Sequence, residues 1–253
     1  MPSGAKLADF YPANYHSMGK HGFLTTLRND MRLRRLRSLL VGDGAMLDFG
    51  CGRGQFLIHA AAHLRGVPLF GYEIGSQTSV ETHAGGQVTI VRGDTKALLD
   101  ILPPCSLITM NHVIEHLPDP LETLSALLQK LAPGGTLEGQ TPAAGSLEHR
   151  TFGRRWSGYH APRHTVVFSP RGLEQLFGRA GYSDYKWSGA FNPAGIAVSL
   201  ATLRQAPEQA GVITRGGLGW LVCLALASCL APIDLLSGAP GIFNFKAHRP
   251  LSA

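Results

Sequence analysis

The chain has 253 residues, of which 44% are hydrophobic, 16% are charged and 31 are glycine. This composition excludes a disordered chain and suits one well-buried α/β domain with many tight turns. The net charge of +6 is moderate, and no aromatic residues are interleaved with the arginines between positions 28 and 37, so we expect no nucleic-acid partner.

The N-terminal 44 residues are interpreted as a helical cap. The arginines between positions 28 and 37 are interpreted as the solvated face of a helix whose residues Leu33, Leu36, Leu39 and Leu40 point inward. The alternative is that these arginines attract the phosphates of a ligand. Tyr11, Tyr15 and His16 would help to close a site. The N-terminal segment lacks the apolar core of a signal peptide, and the four cysteines form no C-x-x-C pair. Together these features predict a cytoplasmic protein with reduced thiols.

Short apolar runs alternate with amphipathic ones from residue 45 to residue 141. They predict strands at 46–49, 69–73, 88–91 and 106–110, with a fifth strand from 136. Helices are predicted over 55–64, from about Ser76, and over 120–131. Strands and helices that alternate at this spacing predict a doubly wound, mostly parallel sheet with helices on both faces.

The pattern loosens after Pro142. Residues 143–168 are rich in arginine, histidine and aromatic residues, Ser169-Pro170 opens a helix that ends near Gly181, and two apolar stretches cover 187–203 and 216–233. A last strand is predicted at 242–247. We divide the chain into the cap (1–44), a core (45–190), an apolar helical insertion (191–240) and a last strand with its tail (241–253).

A glycine loop follows the first predicted strand, in the segment LDFGCGRG that begins at Leu47. Glycine lets the backbone approach a ligand closely, and the next helix presents free amides to negative charge. Asp48 lies two positions before the first glycine. Glu73 ends the second strand, where a carboxylate can accept hydrogen bonds from ribose hydroxyls, and Asp94 follows the third. Their succession at the carboxyl ends of strands predicts a nucleoside-type ligand.

These segments resemble the class I S-adenosylmethionine-dependent methyltransferases, within the broad type that includes the ubiquinone-biosynthesis O-methyltransferases. The resemblance rests on LDFGCGRGQFL, GYE, RGD, ITMNHVIEHLPDP and LAPGGTL, over roughly residues 45–141, and more weakly on PRHTVVFSPRGLEQLFGRAGY. It implies the seven-stranded type of Rossmann-like sheet, with S-adenosylmethionine as cofactor. The chain departs from the family pattern at its C-terminal end, where long apolar stretches interrupt the late strands.

The resemblance also implies a set of cofactor-binding residues. Asp48 and the loop residues Gly50, Cys51, Gly52 and Gly54 would face the methionine portion. Glu73 would bind the ribose, Asp94 would lie beside adenine, and Asn111 and His112 would line the far wall of the pocket. A nicotinamide-dependent oxidoreductase is the competing interpretation of the loop, but D-x-G-C-G-x-G is not the dehydrogenase spacing. A non-enzymatic S-adenosylmethionine-binding module is the other alternative.

The candidate catalytic residues are Glu115, His116 and His164. Methyl transfer to a hydroxyl benefits from a general base, and histidine is the usual one near neutral pH. His149 and His160 lie in the same loop-rich segment as His164. Alternatively, Glu115 and His116 are a structural pair that anchors the loop, and His164 is a loop histidine without a catalytic role.

No metal site is predicted. Residues 112–116 spell the zinc-protease pattern H-x-x-E-H, but they follow a strand and precede two prolines, whereas that pattern requires a helix. The ubiquinone-type relatives carry acidic and histidine residues here that can hold a divalent cation. His112 replaces a carboxylate, which disfavours magnesium.

Residues 216–233 include 18 consecutive residues without a charge, which is borderline for a membrane span. We expect a small-molecule or lipid-linked acceptor that is methylated on oxygen, and less readily on nitrogen or carbon. Residues 191–236 would form a lid, a homodimer contact or a hairpin in peripheral contact with a membrane, and the last of these would make the cytoplasmic protein membrane-associated.

Overall fold

An eight-stranded sheet organises the computed structural model, which describes residues 23–40, 42–160, 163–204 and 217–251. The strands are β1 (Ala45–Phe49), β2 (Leu69–Glu73), β3 (Ser79–His83), β4 (Val88–Arg92), β5 (Cys105–Asn111), β6 (Leu131–Pro142), β7 (Ser183–Gly189) and β8 (Ile242–His248). The helices are α1 (Phe23–Arg37), α2 (Gln55–Ala61), α3 (Thr95–Ile101), α4 (Pro120–Lys130), α5 (Leu147–Phe152), α6 (Pro170–Arg179), α7 (Pro193–Ala201) and α8 (Gly217–Leu236). Tyr11, Tyr15 and His16 lie outside the described residues.

The strand order is β3-β4-β2-β1-β5-β6-β8-β7. Strands β4, β2, β1, β5 and β6 are parallel, whereas β8 is antiparallel to both of its neighbours and β3 is antiparallel to β4. The doubly wound, mostly parallel sheet is therefore confirmed. Because the parallel strands share a direction, the loops after β1, β2, β4, β5 and β6 meet at one edge, where open sheets bind ligands.

The two sides of the sheet bury separate apolar layers. Strand β1 is buried at every position, with Met46 packed among α1, α2 and β2 and its neighbour Leu47 packed among α4, α6 and β8. Alternate residues of a strand point to opposite faces, so this continuous apolar run needs helices on both sides. Leu33 and Leu36 of α1 are buried in the first layer, which confirms the inward-facing stripe of that helix.

The secondary structure differs from the prediction at three places. The helix expected from about Ser76 is instead the edge strand β3, whose Ser79–His83 segment pairs antiparallel with β4 through a turn at Gly85 and Gly86. Val80 and Thr82 are β-branched residues in an exposed alternating run, which favours a strand. Strand β7 was not predicted, since its sequence SDYKWSG is mostly exposed and lacks an apolar pattern. Helix α2 ends three residues before its predicted end.

Helices α7 and α8 form a small third apolar cluster, with Ile196 and Ala197 packed against Ala227 and Ala231. Most of α8 is exposed, although within the described residues it is the one helix long and apolar enough to cross a membrane by length and composition. Strand β8 follows it and returns the chain to the sheet between β6 and the edge strand β7. The predicted apolar stretches are therefore helical at their centres.

Candidate functional site

The loop after β1 contains three glycines with positive φ, for two different reasons. At Gly50 and Gly54 an added Cβ would overlap the side chains of Val113 and Ile90, so packing as well as backbone angle requires glycine. At Gly52 an added Cβ would meet no described atom within 4 Å. Packing inside the protein thus explains glycine at positions 50 and 54, whereas Gly52 leaves open space beside the backbone.

Glu73 holds this loop in place. Its Oε2 accepts a hydrogen bond of 2.6 Å from the backbone N–H of Gly52, and Arg92 donates to the carbonyl oxygen of Gly52 at 3.0 Å. The N–H groups of Gly50 and Cys51 both donate to the carbonyl oxygen of Tyr72 at 2.8 Å. The ends of β1, β2 and β4 therefore converge on one turn, and the structure brings Glu73 to the glycine loop as the spacing predicted.

Asp48 is buried beneath the loop and ion-paired. Its Oδ1 lies 2.7 Å from Nη2 of Arg32 on α1 and accepts a 2.6 Å hydrogen bond from the hydroxyl of Thr109 on β5. The Arg32 guanidinium also lies 3.8 Å above the ring of Phe56. The assignment of Asp48 to the methionine portion of a cofactor stays a prediction. In the structure, the Asp48 carboxylate contacts Arg32 and Thr109.

A second arginine of α1 reaches the sheet. Arg35 pairs at 2.9 Å with Glu138, which is fully buried in the middle of β6. Burial raises the pKa of Glu138, although Arg35 and Arg32 oppose that shift. Sequence reasoning missed both pairs. The available signal was the three-residue spacing of Arg32 and Arg35 beside acidic residues inside apolar strands, where an unpaired carboxylate is costly.

Asp94 is the N-cap residue of α3, where its side chain accepts a 3.0 Å hydrogen bond from the N–H of Lys96. Tyr72 donates to the carbonyl oxygen of Gly93 at 2.7 Å, and Thr95 donates to the Tyr72 hydroxyl. Asp94 therefore has a structural role at the edge where an adenine contact was predicted. The cap engages one carboxylate oxygen, and the residue is exposed.

Asn111 ends strand β5, and His112 follows it directly. The Asn111 Nδ2 atom is buried and has no hydrogen-bond partner among the described residues. His112 has a φ of 54°, with Nε2 3.0 Å from Oε1 of Gln140 and Nδ1 3.3 Å from Oε1 of Glu115. Burial works to lower the pKa of His112, but the contacts with Glu115 and Gln140 outweigh it and raise the pKa above its ordinary value.

The three predicted catalytic residues lie together. Glu115 and His116 belong to a single 3₁₀ turn, Ile114–His116, and His164 comes from the segment after β6. One ligand atom from each of Glu115, His116 and His164 lies within 4.8 Å of the others, and the two imidazole centroids are 4.6 Å apart. Because this turn is not part of a longer helix, the zinc-protease interpretation of H-x-x-E-H is excluded.

Backbone carbonyls orient the two imidazoles. The Nδ1 atom of His116 lies 3.0 Å from the carbonyl oxygen of Arg163, and the Nδ1 atom of His164 lies 2.7 Å from that of Gly158. A carbonyl oxygen only accepts, so each Nδ1 is the donor and each neutral ring carries its lone pair on Nε2. The backbone thus fixes which nitrogen of each ring can bind a proton or a ligand.

Glu115 anchors this arrangement from the interior. It is fully buried, its Oε2 accepts a 2.9 Å hydrogen bond from the Thr141 hydroxyl, and its backbone oxygen accepts from the N–H of Thr165. Burial works to raise the pKa of Glu115, but the neighbouring imidazoles outweigh it and lower the pKa. Burial lowers the pKa of His116, and it lowers that of His164 to about 4. Glu115 therefore stays ionised beside His112, whose pKa is raised, while burial favours the neutral form of His116 and of His164.

An aromatic group borders the histidines, and sequence reasoning did not single it out as a cluster. Trp156 is buried, stacks on His149 at 5.0 Å and meets Tyr159 edge-on at 5.4 Å. His149 Nε2 lies 2.6 Å from the Tyr159 hydroxyl. The high frequency of histidine and aromatic residues in the segment 143–168 was the available signal, but only the fold shows which of them meet.

Known proteins share parts of this sequence and this fold. A family model described as a methyltransferase domain matches residues 23–186. No curated protein matches the sequence.

Solved structures with the same fold include a SAM-dependent methyltransferase from Archaeoglobus fulgidus, with 21% identity and a TM-score of 0.52 over 90% of this chain and 100% of that one. Phosphoethanolamine N-methyltransferase 2 of Haemonchus contortus, in complex with S-adenosyl-L-methionine, has 15% sequence identity and a TM-score of 0.54. The match covers 98% of this chain and 57% of that enzyme. The [4+2]-cyclase SpnF has 19% sequence identity and a TM-score of 0.51, and the match covers 88% of this chain and 81% of that one. At these identities, structural likeness is evidence of the fold alone.

Proposed function

The chain belongs to the methyltransferase domain family as a class I S-adenosylmethionine-dependent methyltransferase, and on this premise we propose that it methylates a hydroxyl oxygen of a small or lipid-linked acceptor. The cluster of Glu115, His116 and His164 carries the proposal. Methylation of a hydroxyl releases a proton, and a neutral imidazole, the form that the lowered pKa of His116 and of His164 favours, can accept it as a general base. The bonds to Arg163 and Gly158 direct Nε2 of each ring to that task.

S-adenosylmethionine is the cofactor of this family, and when bound it supplies an electrophilic methyl group. The residues present fit such a group. Gly52 leaves open space where a side chain would otherwise block a ligand, and the Asn111 amide holds a buried donor without a partner among the described residues. We propose that Glu73 binds the ribose, Asp94 the adenine, and Asn111 and His112 the far wall, with Gly50, Cys51, Gly52 and Gly54 shaping the loop and Asp48 at the methionine end.

Val113 connects the cofactor side of the site to the histidine cluster. Its side chain fills the position above Gly50, two residues before Glu115. An acceptor beside the histidines would therefore lie close to the glycine loop, as an in-line displacement requires, and the chain's task is to hold the acceptor oxygen in place. Oxygen is favoured over nitrogen because a neutral amine is nucleophilic without a base, whereas a hydroxyl is a weak nucleophile until a base takes its proton.

Isothermal titration with S-adenosylmethionine tests the cofactor assignment. Glu73→Ala removes both the proposed ribose contact and the hydrogen bond to Gly52, and we expect at least about tenfold weaker binding, which corresponds to about 1.4 kcal/mol. Asp100→Ala, an exposed carboxylate on α3, is the matched control and should bind as the wild type does. Equal affinity for Glu73→Ala and the wild type would refute the assignment.

An acceptor screen tests the choice of oxygen. Release of S-adenosylhomocysteine is measured with matched alcohols, phenols, amines and carbon acids, each with and without a long acyl chain. We expect turnover with hydroxyl compounds and slow or no turnover with the amines. Turnover confined to amine or carbon acceptors would exclude O-methylation while leaving the cofactor assignment intact.

We also propose that the exposed face of α8 rests on the cytoplasmic surface of a lipid bilayer. Six large apolar side chains of this helix are 41–78% exposed, namely those of Leu218, Leu221, Val222, Leu226, Leu230 and Ile233. The face packed towards α7 carries the small Ala227 and Ala231 together with the buried Asp234. A contiguous exposed apolar surface of this kind is typical of membrane or partner contact.

The position of α7 supports a lipid-linked acceptor. The Ser157 hydroxyl donates to the carbonyl oxygen of Gly195 at 3.0 Å, and the backbone N–H of Ser157 donates to Ser199 Oγ at 3.0 Å. These bonds join the α7–α8 pair to the segment that carries His164. A helix pair resting on a bilayer would therefore hold the histidine cluster near the lipid surface.

Vesicle flotation tests the membrane contact. Leu221→Ser combined with Leu226→Ser should lower the fraction that floats with phosphatidylcholine and phosphatidylglycerol vesicles severalfold, because each change removes exposed apolar area. Val80→Ser, which alters a similarly exposed apolar residue on the edge strand, should float as the wild type does. If the wild type stays in the dense bottom fraction, and if analytical ultracentrifugation shows a dimer that the double variant disrupts, α8 contacts a second copy instead.

A further inference from the structure

Helices α1 and α2 carry a group of metal-ligating side chains away from the acceptor side of the site. Asp30 lies on α1, His59 lies on α2, and His63 lies in the turn that follows α2. One ligand atom from each of the three residues lies within 4.8 Å of the others. We propose that Asp30, His59 and His63 bind one divalent transition metal ion of the zinc type, which clamps the N-terminal cap to the core.

The helical spacing of the two histidines brings their rings together. Residues four positions apart lie on the same face of a helix, and the N–H of His63 donates to the carbonyl oxygen of Ala60, so the helical turn continues past the end of α2. The two imidazole centroids are 4.9 Å apart, and Nε2 of His59 lies 2.9 Å from Oδ1 of Asp30. Ligand atoms about 2.1 Å from a zinc ion lie roughly 3–4 Å from one another, so small side-chain rotations complete the set.

Backbone hydrogen bonds direct the ring of His63 towards an ion. Its Nδ1 lies 3.0 Å from the carbonyl oxygen of His59, and because a carbonyl oxygen only accepts, Nδ1 carries the hydrogen and Nε2 carries the lone pair. Metal-bound histidines characteristically donate their other ring N–H in this way. Arg37 donates to the backbone oxygen of His63 and not to its ring. Nε2 of His63 is therefore available as a ligand.

The pair of His59 and Asp30 supplies the other two ligands. In the absence of an ion, Nε2 of His59 is the donor and the Asp30 carboxylate accepts. A metal ion between them takes the place of this hydrogen, which moves to Nδ1 of the same ring. The carboxylate brings one negative charge to the ion, and the bound imidazoles stay neutral.

The ligand types and the exposure of the group select the metal. Two imidazoles and one carboxylate suit zinc and its neighbours, whereas magnesium prefers oxygen ligands throughout. The Asp30 side chain is 37% exposed and His63 is exposed, so an ion reaches the group from solvent and water completes its coordination.

An ion at this position joins the two helices that border the glycine loop. Arg32 of α1 pairs with Asp48 beneath that loop and lies over the ring of Phe56 on α2, and α2 begins directly after Gly54. A ligand that binds only the folded protein stabilises it by mass action. Zinc should therefore hold α1 against α2 and raise the melting temperature.

Calorimetric titration of zinc chloride into the untagged, chelator-treated full chain tests the proposal. We expect one zinc per chain, at least about tenfold weaker binding in His63→Ala and in Asp30→Asn, which each lose one of three ligands, and no heat with magnesium chloride. His83→Ala is the matched control, because His83 is a partly exposed histidine that lies 3.5 Å from one carboxylate, Glu81. It should bind zinc as the wild type does.

Thermal unfolding gives an independent measure. Zinc at a hundredfold excess over its dissociation constant should raise the melting temperature of the wild type and of His83→Ala by roughly 5 °C or more, and it should leave that of His63→Ala unchanged. Wild-type zinc affinity in His63→Ala, or an equal rise in its melting temperature, would overturn the proposal.

Two further outcomes of the titration would also overturn it. A stoichiometry of one zinc per two chains would show an ion shared between the surfaces of two molecules. Zinc that is kept in His63→Ala and lost in His164→Ala would place the ion at the acceptor side of the site.

Discussion

The two halves of this site are held in place by different means. On the cofactor side, the loop after β1 is fixed by the backbone angles of its glycines and by hydrogen bonds to its main chain, including those with the side chains of Glu73 and Arg92 at the ends of β2 and β4. On the acceptor side, Glu115 and His164 are 49 positions apart, and hydrogen bonds between the loop after β5 and the segment after β6 hold them together, from the Thr165 N–H to the Glu115 carbonyl oxygen and from His116 to that of Arg163. The first half takes its shape from glycine backbone angles, and the second from the meeting of two segments that are distant in the chain.

This difference separates what is constant in a fold from what can vary. A nucleotide-type cofactor needs a close backbone approach, which few sequences allow, so its loop is recognisable from spacing. An acceptor pocket can be built from many side chains on a rigid scaffold. The structural neighbours illustrate this, because methyltransferases and a [4+2]-cyclase share the sheet.

Arg32→Ala should produce the largest effect, on the cofactor side. It leaves Asp48 buried beneath the loop without its charged partner, which typically costs about 3 kcal/mol of unfolding free energy. Chemical denaturation measures the loss. Arg34→Ala, on an exposed turn of the same helix, should stay within about 0.5 kcal/mol of the wild type. Equal losses in both variants would show that α1, rather than the ion pair, supplies the stability.

A second prediction compares two glycines of one loop. Gly50→Ala forces a methyl group into Val113 at a positive φ and should cost about 3 kcal/mol, whereas Gly52→Ala carries only the cost of its backbone angle, about 1 kcal/mol. Thermal unfolding measures both. Val113→Ala should recover part of the stability lost in Gly50→Ala but nothing in Gly52→Ala. Without that selective recovery, contact with Val113 is not the reason for glycine at position 50.

The cofactor half could be predicted largely from sequence, and the acceptor half could not. Periodicity located the parallel strands, and the glycine spacing located the loop, because both signals are local. Arg32 and Arg35 were assigned to a solvated face because a helical pattern does not show what lies across it. The meeting of His164 with Glu115 depends on two chain segments that no sequence period connects, and strand β7 lacks an apolar pattern altogether.

The acceptor half contains a pH-sensitive element, which supplies the third prediction. Burial raises the pKa of Glu148 to about 7, and nearby Asp234 of α8 adds to the shift. Because the folded pKa is raised, the stability linked to the protonated form is present below about pH 4.5 and is lost as pH rises through about 7.

Glu148→Gln removes that loss. The variant should therefore be more stable than the wild type by about 2 kcal/mol at pH 8 and nearly equal to it at pH 5. Denaturation at the two pH values measures the difference between the proteins. Glu174→Gln alters a carboxylate that is exposed on α6 and should show no such change with pH. A gain for Glu148→Gln that is equal at both pH values would exclude the titration.

The smallest effect separates the two roles of Asp94, at the edge where the cofactor side ends. Serine caps a helix about as well as aspartate, so Asp94→Ser should keep the unfolding free energy within about 0.5 kcal/mol, while Asp94→Ala should lose about 1 kcal/mol. Serine is too short to replace a carboxylate that reaches a ligand. If Asp94 also accepts a hydrogen bond from adenine, both variants bind S-adenosylmethionine about fivefold more weakly, which corresponds to about 1 kcal/mol. Unchanged affinity in Asp94→Ser would restrict this residue to its helix, and adenine recognition would then rest on other groups at the ends of β2 and β4.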